Sequence, residues 1–154
     1  MYKIVIAVTF MAAAAILMSS CSDWGLNNSP SPTSLSKASS LLLYQVSLRR
    51  DQLASPTPER LAQMQGEGMN LANLSIQKVF IYLHQQLTAS QAGELRETGI
   101  TVYTESWIPP VGNNPDGFYL ADMPLDKLEA LAGKAYVTRL DTAEKRLQFQ
   151  SDKP

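Results

Sequence analysis

Apolar and polar positions alternate with changing period between residues 78 and 141, and no other stretch of the chain does so as clearly. Residues 79–83 form an unbroken apolar run rich in β-branched and aromatic side chains, which is typical of a central strand. Residues 100–105 alternate with a period of two, and residues 117–121 and 136–140 are further short runs of strand-forming residues. The pattern therefore predicts four strands.

Two helices are predicted between these strands. Thr88 followed by Gln91 fits a capping box at the start of the first helix, and Gly99 is suited to a left-handed stop at its end. The second helix is predicted to begin near Pro124 and to end at Gly133. The order strand, helix, strand, strand, helix, strand predicts an α+β domain of the ferredoxin-like βαββαβ type over residues 76–141. Such a domain has a four-stranded antiparallel sheet with both helices on one face.

A helical segment is predicted before this domain, over residues 35–68, and we call it the preface. Its apolar positions are irregularly spaced: Leu41, Leu42, Leu43, Val46, Leu48 and Leu53. Thr57 fits an N-cap for a second short helix with Pro58 at its first position. The adjacent basic residues Arg49 and Arg50 are predicted to lie on a solvated helix face.

The first 20 residues have the layout of a secretory signal peptide. Lys3 gives a positively charged start, and residues 4–18 form an almost entirely apolar run. That run is shorter than the roughly 20 residues that a membrane-spanning helix needs. Ser19 and Ser20 are small, as signal cleavage requires, and the residue after them is Cys21, the only cysteine in the chain.

Residues 17–21, with the sequence LMSSC, resemble the lipobox of bacterial lipoproteins. The resemblance implies that the thiol of Cys21 carries a diacylglyceryl group and that the signal is removed just before it. The expected location is therefore the cell envelope. Ser22 rather than an aspartate follows the cysteine, which resembles lipoproteins sent to the outer membrane where a cell has one. In other cells the outer face of the plasma membrane is expected. The alternative is an ordinary secreted protein in which Cys21 lies near the cleavage point by chance.

The residues after the cysteine, up to residue 34, are polar and rich in Pro, Ser and Asn, so residues 21–34 are predicted to be a lipidated cysteine with a flexible tether.

The chain has 13 Lys and Arg against 14 Asp and Glu, a net charge of −1, which does not favour nucleic acid as a partner. The single histidine, His84, has no second imidazole with which to share a metal ion. We therefore expect no metal, no cofactor apart from the covalent lipid, and no enzymatic activity.

The βαββαβ unit resembles the propeptide-like domain of subtilisin-type proteases, which also occurs as stand-alone peptidase inhibitors. The resemblance is carried by residues 79–83, by residues 95–102, and by residues 123–132 followed by residues 136–140. It implies that the face of the sheet without helices binds a subtilisin-like protease. It also implies that the C-terminal tail, residues 142–154, runs into the substrate cleft, so that Thr142 and Ala143 are candidate contacts.

Two further candidates for partner contact come from the residues themselves. The loop over residues 106–116 carries Trp107 and Ile108 and is apolar for a loop, so we predict that it contacts a partner. The alternative is that Trp107 folds back over the sheet edge. In the third strand, Phe118 and Leu120 alternate with Tyr119 and Ala121, and only one of these sets can face the helices. Tyr119 is the partner-binding candidate from this strand.

These observations predict a lipid-anchored envelope protein that binds another protein, with inhibition of a subtilisin-like serine protease implied by the resemblance. The alternative is a structural or assembly lipoprotein of the envelope without a protease partner. In that case the preface is expected to cover the sheet face that lacks helices. Whether residues 35–68 pack on that face distinguishes the two predictions.

Overall fold

The fold is described for residues 35–144 of a computed structural model. The elements are α1 (Ser40–Ala54), α2 (Pro58–Gly66), β1 (Ile76–Leu83), α3 (Ala89–Glu97), β2 (Thr101–Val102), β3 (Gly117–Pro124), α4 (Leu128–Ala132) and β4 (Arg139–Thr142). Short 3-10 turns cover Leu35–Lys37, Thr104–Ser106 and Leu125–Lys127. The signal peptide, Cys21, the tether and residues 145–154 lie outside the described residues.

The four strands form one sheet in the order β2-β3-β1-β4, and each neighbouring pair is antiparallel. The central strands β1 and β3 pair along their whole length, from Ile76 opposite Pro124 to Leu83 opposite Gly117. Strand β3 lies between β1 and β2, and β1 lies between β3 and β4, so each βαβ unit is split by a strand of the other unit. The predicted α+β fold with a four-stranded antiparallel sheet is confirmed, and the arrangement is consistent with a ferredoxin-like fold.

The hydrophobic core lies on one side of this sheet. Burial alternates along β1 and β3, so that one set of side chains is buried and the next is half-buried. The buried set includes Val79, Ile81, Leu83, Tyr119, Ala121 and Met123. Leu95 of α3 and Leu131 of α4 join the same core, which places both predicted helices on one face. Each fully buried aliphatic side chain of this kind stabilises the fold by roughly 1.5–3 kcal/mol.

The preface packs into that same core. Ala38 forms a parallel bridge with Leu140 at the outer edge of β4, and the Ser39 N–H donates to the Leu140 carbonyl at 2.9 Å. Helix α1 then runs beneath the sheet, with Leu42 and Val46 buried among the core residues. Helix α2, capped by Thr57 as predicted, packs on α1. The preface and the βαββαβ unit therefore share one core.

Local signals for α3 are confirmed. The Gln91 N–H donates to Thr88 Oγ1 at 3.2 Å, and the Thr88 N–H donates to Gln91 Oε1 at 2.9 Å, which completes the capping box. Gly99 has a φ of 86°, the left-handed conformation expected after a helix. Strand β2 is shorter than predicted because the chain turns after Tyr103, and the Ser106 hydroxyl accepts the hydrogen bond of the Leu120 N–H at 2.8 Å.

The C-terminal half departs from the prediction in two places. Pro124 ends β3 instead of beginning the second helix, and a 3-10 turn separates it from α4. Thr142, predicted as the first residue of the tail, is the last residue of β4 and pairs with Val79. Strand β4 therefore begins three residues later and ends two residues later than the strand predicted over residues 136–140.

Candidate functional site

The side of the sheet opposite the core is the first candidate, and we call it the open face. The half-buried set in β1 and β3 points to this side, because successive side chains of a strand alternate between faces. Within residues 35–144, helices α1, α3 and α4 contribute to the core on the other face, and α2 packs on α1. The preface therefore does not cover the open face.

Aromatic and aliphatic side chains occupy the centre of the open face. The Phe80 and Phe118 rings meet edge to face with their centroids 5.2 Å apart, and the Tyr82 and Phe118 centroids are 5.4 Å apart. Leu120 lies opposite Phe80 in the register of β1 and β3. These four residues are only half-buried although they contact one another.

Ile108 extends this surface at the edge of the sheet. Its N–H donates to the Phe118 carbonyl at 3.0 Å, and its carbonyl accepts from the Phe118 N–H at 2.9 Å. Directly opposed residues of an antiparallel pair project to the same side, so Ile108 lies beside Phe118 on the open face. It is 45% exposed. We define the apolar patch as Ile108, Phe118, Leu120, Phe80 and Tyr82.

Trp107, the neighbour of Ile108, lies on the opposite side of the sheet. Its ring centroid is 4.7 Å from that of Tyr119, and it packs half-buried against the core. Gly117 makes this approach feasible, because a Cβ at that position would lie 2.3 Å from Trp107 Cη2. Of the two interpretations that the sequence left open, the structure shows the one in which Trp107 folds back over the sheet edge.

Two other predicted contact residues are buried. Tyr119 is 2% exposed and faces the helices, so Phe118 and Leu120 form the outward set of β3. Thr142 is 0% exposed, because its side chain lies on the core side of β4. Neither side chain presents a surface to a partner in this fold, which corrects both predictions. Ala143 is half-buried, and its N–H donates to the Lys78 carbonyl at 3.0 Å.

A charged cluster borders the apolar patch on one end. Lys78 Nζ lies 2.6 Å from Asp122 Oδ1, and the Tyr103 hydroxyl donates to Asp122 Oδ2 at 2.6 Å. Partial burial favours a higher pKa for Asp122, but the hydrogen bonds from Lys78 and Tyr103 and the Lys78 charge together lower its pKa below the ordinary value. Burial opposes the charge of Lys78, and the hydrogen bond and charge of Asp122 outweigh it and raise the Lys78 pKa.

Arg139 borders the patch on the β4 side. Its guanidinium carbon lies 3.9 Å from the centroid of the Tyr82 ring, a cation–π contact, and the residue is exposed. The open face therefore has an apolar centre with a cation at one border and a paired Lys78–Asp122 cluster at the other. An apolar centre with a polar rim is the arrangement that protein–protein interfaces typically show.

The second candidate is a buried polar network that sequence reasoning missed. Arg49, predicted to be solvated, is 0% exposed, and its guanidinium Nη2 lies 2.6 Å from Glu144 Oε2. Gln45 and Gln77 are buried beside this pair, and Gln77 Nε2 donates to Gln45 Oε1 at 3.1 Å. The irregular stripe of α1 was the available signal, because Gln45 and Arg49 fall at helical spacing with Leu42.

Candidate chemistry elsewhere is sparse. No group of three or more His, Cys, Asp and Glu residues within residues 35–144 is placed to hold a metal ion. His84 is exposed, with its Nδ1 2.6 Å from Asp116 Oδ1. None of the helices in the described part of the chain has the length and apolar character needed to cross a membrane.

Comparison with protein-family models, with curated proteins and with solved structures gives no match for this chain.

Proposed function

We propose that this chain is a lipid-anchored protein of the cell envelope and that its open face binds another protein. The observation that carries the proposal is the apolar patch, which the described helices leave uncovered. Apolar patches rimmed by polar residues mark interaction sites. The resemblance of residues 17–21 to a lipobox supports the anchor at Cys21, and two or more acyl chains hold a protein stably at a bilayer.

The partner that we propose is a subtilisin-like serine protease, which the chain inhibits. The resemblance of residues 76–141 to the propeptide-like domain supports this choice, and so does the position of α1. The resemblance implies that the docking surface is the open face. In this chain α1 packs on the other side of the sheet and leaves that face uncovered. The tail continues beyond Glu144 for ten residues, which span at most about 36 Å when fully extended.

The experiment is a titration of the purified fragment 22–154, which lacks the signal peptide and the lipidated cysteine, into a subtilisin assay. We expect loss of turnover at about micromolar concentration or below, the range of a specific interface. Ile108→Asp places a charge in the apolar patch and is expected to weaken inhibition by about tenfold or more. Leu53→Asp is the matched control, because Leu53 is 51% exposed on α1, and we expect it to inhibit like the wild type.

Absence of inhibition by the wild-type chain would contradict the protease as partner. Equal weakening by both variants would contradict the open face as the docking surface. If the chain fails to inhibit but Ile108→Asp loses binding to a different envelope protein, the structural or assembly lipoprotein becomes the better description.

The anchor has its own test, independent of the partner. We expect cells that express the chain to incorporate labelled palmitate into it, and Cys21→Ser to abolish the label and release the protein from the membrane fraction. Processing should also be blocked by globomycin, which inhibits the lipoprotein signal peptidase. An unlabelled mature protein found free in the medium would contradict the anchor.

A further inference from the structure

A buried ion pair joins the preface to the start of the tail. Arg49 belongs to α1, and Glu144 is the second residue after β4, 95 positions further along the chain. The side chains are 0% and 7% exposed, and Arg49 Nη2 lies 2.6 Å from Glu144 Oε2. Both charges are therefore removed from water and depend on each other.

Each of the three guanidinium nitrogens of Arg49 donates at least one hydrogen bond. It donates to Gln77 Oε1 from Nε at 2.9 Å, to the Asn73 carbonyl from Nη1 at 3.2 Å and to the Asn70 carbonyl from Nη2 at 2.8 Å. These acceptors lie on β1 and on the connector between α2 and β1. The planar guanidinium has five donors in a fixed geometry, and a lysine ammonium cannot reproduce this set.

Glu144 is held equally fully. Its Oε2 accepts from the Asn70 N–H at 2.9 Å, and its Oε1 accepts from the Lys78 N–H at 3.2 Å. Its backbone also takes part, because Gln45 Nε2 donates to the Glu144 carbonyl at 2.8 Å and the Glu144 N–H donates to Thr142 Oγ1 at 3.0 Å. Glu144, the second residue after β4, is thus fixed by four hydrogen bonds in addition to its ion pair with Arg49.

We propose that Arg49 and Glu144 form a latch that fixes the point at which the tail leaves the domain and that makes the preface a required part of this arrangement. Replacing a buried ion pair by well-packed apolar residues is often neutral or stabilising, so burial of the pair is not explained by stability alone. A pair bonded to the preface, the connector, β1 and the tail instead specifies one arrangement of these four segments. The latch also sets the direction in which the tail enters the protease cleft, and this last point rests on the proposed function.

Trypsin cleavage after Lys145 tests the latch directly. A protease must take several residues on the N-terminal side of the cut into its own cleft, so cleavage requires Glu144 to leave the latch, and the rate follows the population of the opened form. The test uses the purified full chain under native conditions, with cleavage products identified by mass spectrometry. The variants are Glu144→Gln, which keeps the shape and removes the charge, and Arg49→Lys, which keeps the charge and loses the donor geometry.

We expect both variants to be cut after Lys145 about tenfold faster than the wild type or more. The control is Val46→Ala, which removes apolar volume from the core side of α1 without touching the pair, and its rate is expected to stay within about twofold of the wild type. Urea unfolding of each variant shows that it is folded before digestion. Wild-type rates for both latch variants, or equally fast cleavage of Val46→Ala, would overturn the proposal.

A second measurement covers the case in which neither latch variant folds. The Ala143 N–H donates to the Lys78 carbonyl at 3.0 Å, next to the latched residue. We expect its hydrogen exchange in the wild type to be slowed by about a hundredfold or more relative to an unprotected amide. Exchange at the unprotected rate would overturn the latch.

The two proposals fail separately. If the latch variants are cut faster but the wild type inhibits no subtilisin-like protease, the latch stands and the proposed function falls. If the wild type inhibits the protease and the latch variants are cut at the wild-type rate, the proposed function stands and the latch falls.

Discussion

The two faces of the sheet are built from the same strands and have different surroundings. On one face Val79 and Ile81 are fully buried beneath α1, α3 and α4, and on the other Phe80 and Tyr82 are half-buried. Antiparallel sheets with one solvated face normally show polar residues on it. Here the second face is apolar at its centre, which is unusual for a solvated face and supports the proposal that a partner covers it.

The largest expected effect is the difference in unfolding free energy between a substitution on the core face of β1 and one on its open face. Ile81→Ala should lower the free energy of unfolding by about 2–5 kcal/mol, because it leaves a cavity in the core. Phe80→Ala, one position earlier in the same strand, should cost about 1 kcal/mol, because Phe80 is only half-buried and packs on cross-strand neighbours. Urea unfolding followed by circular dichroism measures both. Equal losses would mean that the open face is packed as firmly as the core.

The next largest effect on stability tests whether Trp107 packs on the helix side of the sheet while Ile108 lies on the open face. Gly117→Ala should destabilise the fold by about 1–3 kcal/mol, because the new methyl group would overlap the Trp107 ring and the Ile108 carbonyl. Gly93→Ala is the control in the interior of α3, where a Cβ meets nothing within 4 Å. That change should stabilise the fold by about 0.5–1 kcal/mol.

Tryptophan fluorescence in a Trp24→Phe background reports on Trp107 alone, because the chain has two tryptophans. We expect a red shift in the Gly117→Ala variant as the ring leaves the core. An unchanged spectrum and unchanged stability would contradict the packing of Trp107 on the helix side.

The order and type of the elements could be predicted from the sequence, but which side chains of β3 face the helices could not. Phe118 and Leu120 are as apolar as Tyr119 and Ala121, so hydrophobicity does not show which set faces the helices. The structure assigns the faces through the register with β1 and through the fit of Trp107 against Gly117. This is why Tyr119 was the candidate in place of Phe118.

The burial of Arg49 could not be predicted from the neighbouring sequence either. A helix with basic residues normally exposes them, and the carboxylate that pairs with the buried Arg49 belongs to Glu144, 95 residues away. The polar positions within the apolar stripe of α1 indicate an unusual helix face, but they do not show which residue pairs with Arg49. Contacts between residues this far apart in sequence depend on the whole topology.

The smallest expected effect concerns the charged border of the open face. The folded pKa of Asp122 lies below its ordinary value of 3.8, so its ion pair stabilises the fold above that pH, and the contribution is lost as the pH falls through the folded pKa. Asp122→Asn should therefore lower stability at pH 7 by about 1 kcal/mol or less and flatten the loss of stability below about pH 4. Glu105→Gln, at an exposed carboxylate, is the control. Parallel curves for wild type and Asp122→Asn would contradict the ion pair.

The central claim is that the open face, and not the helix side, meets a partner. The most direct measurement places a photoreactive p-benzoylphenylalanine at Ile108 or at Leu53, which have similar exposures of 45% and 51%, and irradiates intact cells that express each chain. We predict a covalent adduct of one defined mass from position 108 and none from position 53. No adduct from position 108, or the same adduct from both positions, would contradict the claim.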